Sequence, residues 1–285
     1  MKTKVVLSAM IAPAILLYIV SFAVPMVVVG RLSFFKSNYI VSEFVGLGNY
    51  VKALQDYYFQ KSFFNAFVLM VFIIPISLYI SYKLAAALSV FDRRSQGFFR
   101  FMLHLPSLVA GIVIGMVWRW MLNETGLINQ LLSVVGMRPI WWLVYAWPAR
   151  ISLSVIQMSA MIGGQVLFLS ATICSIPLEL HDVAQIDGAN ERKYNRYILR
   201  PLLRPMFTLI TLLNIIGIMQ IWGSIYVVFN SGGPEGSVAT PVYEIFLTAF
   251  EYSQQGRAAA KGIILMVVIA LLLMAKQRVE KWAKQ

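Results

Sequence analysis

Long apolar runs separated by short polar stretches organise this chain. Six runs stand out, at about Val5–Gly30, Phe63–Val90, Phe98–Leu122, Ile151–Ile176, Leu203–Asn230 and Gly262–Ala275, the last extending back through Ala258–Lys261. Crossing roughly 30 Å of hydrocarbon takes about 20 apolar residues in a helix, so each run predicts a membrane-crossing helix. The runs are too long for soluble strands and lack the strict alternation of an outer-membrane barrel. The pattern predicts an all-α integral membrane bundle of about six transmembrane helices, a single membrane domain over residues 1–285. Pro13, Pro25, Pro75 and Pro106 fall inside predicted spans, and the fourth and fifth spans are the most broken by Gly and polar residues. Lipid tolerates such interruptions where neighbouring helices or water satisfy the freed carbonyls, which suggests packing around a cavity. Lys2 and Lys4 precede the first run as in a signal peptide. That run is too long for a cleaved leader and lacks a small-x-small cleavage site, so the expectation is a retained anchor.

Composition closes off other classes. Of 285 residues, 59% are hydrophobic and 13% charged, against about half and a quarter in soluble domains. Cys174 is the only cysteine, which excludes a disulfide scaffold. A net charge of +12, from 24 Lys and Arg against 12 Asp and Glu, fits a nucleic-acid binder on paper, but the placement argues otherwise. With the N-terminus, the loops near Phe91–Arg100 and Pro177–Arg204 and the C-terminal tail on one side, that side holds fifteen of the 24 Lys and Arg; the other holds eight, and Arg119 lies within a span. The positive-inside rule then puts both termini in the cytoplasm, with anionic membrane lipid beside the basic face. No nucleic-acid role is expected, because basic residues do not interleave with exposed aromatics outside the membrane.

One cytoplasmic loop differs from the rest. It reads SIPLELHDVAQIDGANERKYNRYILRPLLRP from Ser175 to Pro205. Ser175 and Pro177 suit a helix start, and Leu180, Val183, Ala184 and Asp187 then share one face. Gly188 is a stop and turn signal, since glycine takes positive φ without steric cost. A second, basic helix is expected from about Asn190 to Arg200, interrupted by Pro201. The pattern leaves two readings open: an amphipathic hairpin on the inner leaflet, or a protruding knob that docks a partner.

The stretch from Asp182 to Pro205 resembles the EAA loop of permease subunits of ABC importers. Asp182, Val183 and Ala184 stand at the EAA positions, Asp187, Gly188 and Ala189 form the following DGA, and Pro201, Leu202 and Leu203 complete the run; Asp182 replaces the usual Glu and Val183 an Ala. FVGLGNYVKAL at Phe44–Leu54, WRWMLNETGLINQLL at Trp118–Leu132 and NSGGPEGSVATPVYEIFLTAF at Asn230–Phe250 are similar to the carbohydrate-importing branch. The resemblance implies a type I ABC importer permease fold with residues 175–205 as the coupling loop. It also implies the partners: a second permease as a heterodimer, two ATP-binding subunits that hold ATP and Mg, a solute-binding protein docking on Arg31–Ser62 and Ser231–Lys261, and a carbohydrate substrate. No cofactor is expected in this chain. In that scheme Leu180, Val183 and Ala184 form an apolar seat in the ATPase, Asp182 pairs with a basic group there, and Gly188 lets the two helices fold back closely.

Alternating access expects a site near the midplane lined by interrupted helices. Gly163, Gly164 and Gln165 in the fourth span, and Asn214, Gln220, Trp222 and Tyr226 in the fifth with Gly217, are the candidates, because sugars bind through hydroxyl hydrogen bonds and aromatic faces. The same residues also serve helix packing, with Gln and Asn joining helices and Gly permitting close approach. Arg119 lies between Trp118 and Trp120, where snorkelling to an aromatic belt suffices, and His104 before Pro106 reads as a packing histidine. Trp141, Trp142, Tyr145 and Trp147 read as an outer interfacial belt. The chain contains no phosphate-binding loop, no zinc-ligand spacing and no nucleophile elbow, so no catalytic residue is assigned. The alternative is a stand-alone secondary transporter or channel, which usually shows repeated halves or paired charges within spans.

Overall fold

The computed structural model describes residues 11–38, 41–177 and 179–282; Lys2, Lys4, the start of the expected first span and Lys284 lie outside them. In chain order the elements are α1 (Ile11–Leu32), β1 (Phe35–Asn38), β2 (Val41–Phe44), α2 (Gly48–Leu54), α3 (Tyr57–Leu88), α4 (Arg93–Leu108), α5 (Gly111–Met121) and α6 (Leu127–Val134). There follow α7 (Ala146–Cys174), α8 (Glu179–Ile186), α9 (Glu191–Met219), α10 (Gly223–Val228), α11 (Pro241–Phe246), which runs on into a wider turn at Leu247–Glu251, and α12 (Gln255–Trp282). Among the described residues five helices, α1, α3, α7, α9 and α12, are long and apolar enough to cross a membrane, and α4 with α5, a pair bent by 91°, brings the number to six if the two together form one span.

Two expected spans are therefore broken. The third, Phe98–Leu122, is interrupted where Val109 and Ala110 adopt extended backbone, with ψ of 134° and 137°. The fifth, Leu203–Asn230, stops at Met219 and resumes as α10 after Gln220–Trp222. A carbonyl freed in the second break has a partner: the Thr240 hydroxyl, itself fully buried, donates to the oxygen of Ile221.

Pro201 does not interrupt the basic helix as expected. The preceding turn at Asn195–Leu199 widens, the Arg200 N–H reaching five residues back to Asn195 O, and the helix continues past the proline to Met219. The first helix of the loop begins at Glu179 rather than near Ser175, because α7 extends to Cys174.

The chain divides into two compact units, residues 1–60 with 244–285, and residues 61–243. In the first, β1 and β2 form an antiparallel hairpin pairing Phe35 with Phe44, in a segment legible from sequence only as an outer loop. Asn49 Nδ2 donates to the Ser33 and Phe35 carbonyls at 2.9 and 2.8 Å and ties α2 to the hairpin. Lys261, expected among the outer loop charges, is instead 1% exposed on α12. Its Nζ lies 2.9 Å from Asp56 Oδ2, donates to Thr248 Oγ1 at 2.8 Å and stands 5.1 Å over the Phe59 ring; Arg257 joins the same Asp56 oxygen at 2.8 Å. In the second unit Tyr82, Ala85, Val166, Leu169, Leu203 and Ile210 of α3, α7 and α9 pack into one core.

Candidate functional site

The short helix α8 stands between two spanning helices, α7 and α9. Glu179 and Asp182 in its first turn complement the helix dipole. Leu180 and Val183 are 41% and 54% exposed, and Ile186 beyond them is more exposed still. Ala184, grouped with them in the sequence, turns into its own chain and is buried, so it is not part of that face. Asp182 and Asp187 remain exposed. The helix closes through Ala189 N–H to Ala184 O at 2.9 Å, with Gly188 at φ +75°. No atom lies within 4 Å of where a Gly188 side chain would begin. The glycine is thus required by backbone conformation and not by a close approach of the two helices. Asn190 caps α9 by accepting from Lys193 N–H at 3.0 Å. Across the elbow His181 Nε2 lies 2.9 Å from Glu191 Oε1.

The residues considered for substrate divide into two sets. Gln165 and Asn214 are buried; the Gln165 amide is spent on the bundle, whereas Asn214 Nδ2 has no hydrogen-bond partner among the described residues. Ser81 Oγ donates to Gln165 Oε1 at 2.9 Å, and Gln165 Nε2 reaches Asn214 Oδ1 at 3.2 Å and Ser77 Oγ at 3.3 Å. Gly163 permits contact between α7 and α4: a Cβ there would fall 1.9 Å from the Leu103 carbonyl. Gly164 beside it is half-buried near the His104 ring. Gln220, Trp222 and Tyr226 lie elsewhere, at the break after α9 and along α10; Gln220 and Tyr226 are exposed and Trp222 half-buried.

Helix α10 is held against its neighbours by polar contacts. Gln157 Nε2 donates to Ser224 Oγ at 2.7 Å, and Arg119 donates to the Val227 carbonyl at 2.7 Å. Arg119 therefore serves a helix C-terminus, where a cation is favoured. His104 Nδ1 is satisfied by Ser107 Oγ at 2.8 Å, in keeping with a packing histidine.

Sequence reasoning missed two anchors. Buried Asn129 donates to the carbonyls of Asn123, Glu124 and Ile140 and accepts from Ile140 N–H and the Trp142 ring, which fixes Trp142 in place. The loop from Ser231 to Gly236 carries positive φ at Ser231 and Glu235 as well as at its glycines. Lys61 binds its Glu235 carbonyl, Asn65 the Gly236 carbonyl and Arg150 the Ser237 carbonyl, at 2.8, 2.8 and 3.2 Å. A lone Asn in the apolar FFNAF segment was the available signal for Asn65.

Residues 74–285 match the family described as binding-protein-dependent transport system inner membrane component. The chain is 30% identical to the arabinooligosaccharides transport system permease protein AraP of Halalkalibacterium halodurans, over 94% of this chain and 85% of that one. It is 26% identical to the lactose transport system permease protein LacF of Rhizobium radiobacter, over 92% and 89%. A solved chain of a bacterial ABC transporter involved in the import of the acidic polysaccharide alginate superposes with a TM-score of 0.84 at 18% identity, covering 100% of this chain and 98% of its own. That likeness establishes the fold.

Proposed function

Because the chain belongs to the family of binding-protein-dependent transport system inner membrane components, we propose that it is a permease subunit of an ABC importer that moves a sugar or oligosaccharide across the cytoplasmic membrane. It is a multi-pass membrane protein, and the Lys and Arg excess on the α8 side is the reason to place both termini in the cytoplasm. In this reading the chain forms the pore and hydrolyses nothing. Two separate ATP-binding subunits hold ATP and Mg, a second, different permease completes the pore, and an extracytoplasmic solute-binding protein delivers the carbohydrate.

The observation that carries the coupling assignment is α8 itself, an eight-residue helix between two spans with Leu180 and Val183 exposed. Apolar surface left in water favours a partner that covers it. An ATP-binding subunit gripping Leu180 and Val183, with Asp182 fixing register, moves α8 when the two ATPases close around ATP. Helices α7 and α9 continue directly from the loop, so the displacement reaches the break at Gln220–Trp222. Closure of the ATPases then favours the outward-open permease by differential affinity for the two states. Gln220, Trp222 and Tyr226 are proposed to meet the sugar through amide hydrogen bonds and aromatic faces, with Gly164 alongside. Gly163, Gln165 and Asn214 are proposed to hold the bundle together.

The test is Gly188→Glu in the assembled importer. The variant is expected in the membrane at normal levels with uptake abolished. An ATP-binding subunit that co-purifies equally well with a chain lacking residues 179–189 overturns the assignment of α8.

A further inference from the structure

Resting on the coupling reading of α8, we infer that His181 and Glu191 are positioning residues: they clip the elbow at Gly188 so that force on α8 is passed to α9. The elbow turns on one left-handed residue with open space around it. A hinge of that kind absorbs displacement by rotating. Something must cross it if α8 is to drive α9 as one body. His181 lies on α8, Glu191 opens α9, and Nε2 stands 2.9 Å from Oε1. An ionised carboxylate only accepts, so Nε2 carries the proton in this contact. The imidazole also meets the Tyr194 ring edge-on, centroids 4.8 Å apart with planes at 90°. These contacts join α8 to the first turn of α9 by side chains, in addition to the backbone link.

The far end of the clip is anchored in turn. Asn195 Nδ2 donates to the Glu191 carbonyl at 2.8 Å, and the Tyr82 hydroxyl of α3 donates to Asn195 Oδ1 at 2.9 Å. The Arg200 guanidinium stands over the same Tyr82 ring at 5.5 Å. Glu191 is thus held by its backbone while its side chain reaches back to His181. The His181 side chain is 31% exposed and that of Glu191 70%. A side-chain contact this wet adds little to folding, so its removal leaves the chain folded and acts on stiffness across the elbow.

The experiment uses the complete importer in proteoliposomes, with Gln220→Cys in a Cys174→Ser background as reporter and a membrane-impermeant maleimide as probe. The reading is the change in labelling rate on adding ATP and Mg, with the ATP hydrolysis rate measured in parallel. His181→Ala and Glu191→Ala are each expected to shrink the ATP-dependent change about threefold, the scale of one exposed pair, while hydrolysis continues. The double variant is expected to be no worse than either single one. His181→Gln and Glu191→Gln keep a donor and an acceptor and are expected to keep most of the change. Full ATP-dependent change in both alanine variants, or additive losses in the double, overturns the inference. If the alanine chains do not reach the membrane, the exchanged pair His181→Glu with Glu191→His decides: recovery of the change supports the clip, and no recovery overturns it. Failure of the coupling reading itself looks different, with ATP-binding subunits retained on a chain that lacks residues 179–189.

Discussion

Asp56, Arg257 and Lys261 meet in a nearly dry setting, whereas His181 and Glu191 meet at the surface. The heavy-atom distances are almost the same, 2.8 and 2.9 Å in the first cluster and 2.9 Å in the second. Their surroundings are not. Lys261 is 1% exposed and holds a carboxylate, a hydroxyl and an aromatic face, so its charge has nowhere else to go. Glu191 is mostly in water and loses little when released. Polar contacts of equal length thus do different work: the buried charge pair fixes a structure, because leaving either member unpaired is costly, and the exposed contact biases a movement.

The largest effect comes from breaking the buried cluster by halves. Asp56→Ala leaves the Lys261 ammonium buried with its main counter-charge gone and is expected to cost about 3–5 kcal/mol, read as a fall in Tm of the detergent-solubilised chain. Adding Lys261→Met to that variant is expected to restore most of the loss, since an apolar side chain of similar volume suits the site; no recovery means the cost arises elsewhere. Next is Thr240→Val, which orphans the buried Ile221 carbonyl at the break and is expected to cost about 1–3 kcal/mol in the same measurement.

Gly188 tests conformation against space. Gly188→Ala is expected to cost about 1–2 kcal/mol for the left-handed backbone, and Gly188→Asn less, because asparagine tolerates that region and nothing crowds the position. Equal losses in the two would point to crowding.

Acid separates the two carboxylates near Lys261. Burial pushes the Asp56 carboxyl up, but the Lys261 hydrogen bond and charge, the Phe59 amide and Arg257 outweigh it, and the value is lowered. Its contribution to stability is present above the unfolded carboxylate value and is lost as pH falls through the folded one. Glu244 is raised, by burial first and with Asp56 adding to it against the pull of Lys261. The folded state therefore prefers Glu244 protonated, and its contribution improves as pH falls through the folded value towards the unfolded one. Glu244→Gln is expected to raise Tm above that folded value, with the advantage shrinking in acid; an advantage that grows in acid reverses the assignment. The smallest effect on folding is expected from Leu180→Ala with Val183→Ala, within about 0.5 kcal/mol because both are exposed, while the amount of ATP-binding subunit retained on purification falls.

The membrane class, the long apolar spans and the elbow at Gly188 were legible because each rests on local chemistry. Twenty apolar residues in a row cannot be solvated by water, and a glycine after an amphipathic turn marks a left-handed stop. The positions of the breaks were not legible. Val109, Ala110 and Ile221 are ordinary apolar residues, and what permits a helix to stop within an apolar segment is a partner for the freed polar group, such as Thr240 for Ile221. The burial of Gln165 against Asn214 and the exposure of Gln220 and Tyr226 were equally hidden, because an amide in an apolar run suits either a bundle or a sugar until its neighbours are known.

The sequence by itself determined which solvent the chain lives in, how its Lys and Arg are shared among the loops, and where the glycine elbow stands, since hydropathy, charge and glycine conformation act within a few residues. Only the tertiary structure decided that Lys261 is buried beside Asp56, that Ala184 turns inward, and that His181 reaches Glu191. Those outcomes depend on which distant side chains arrive within 3 Å of one another, and residue spacing along a chain does not contain that distance.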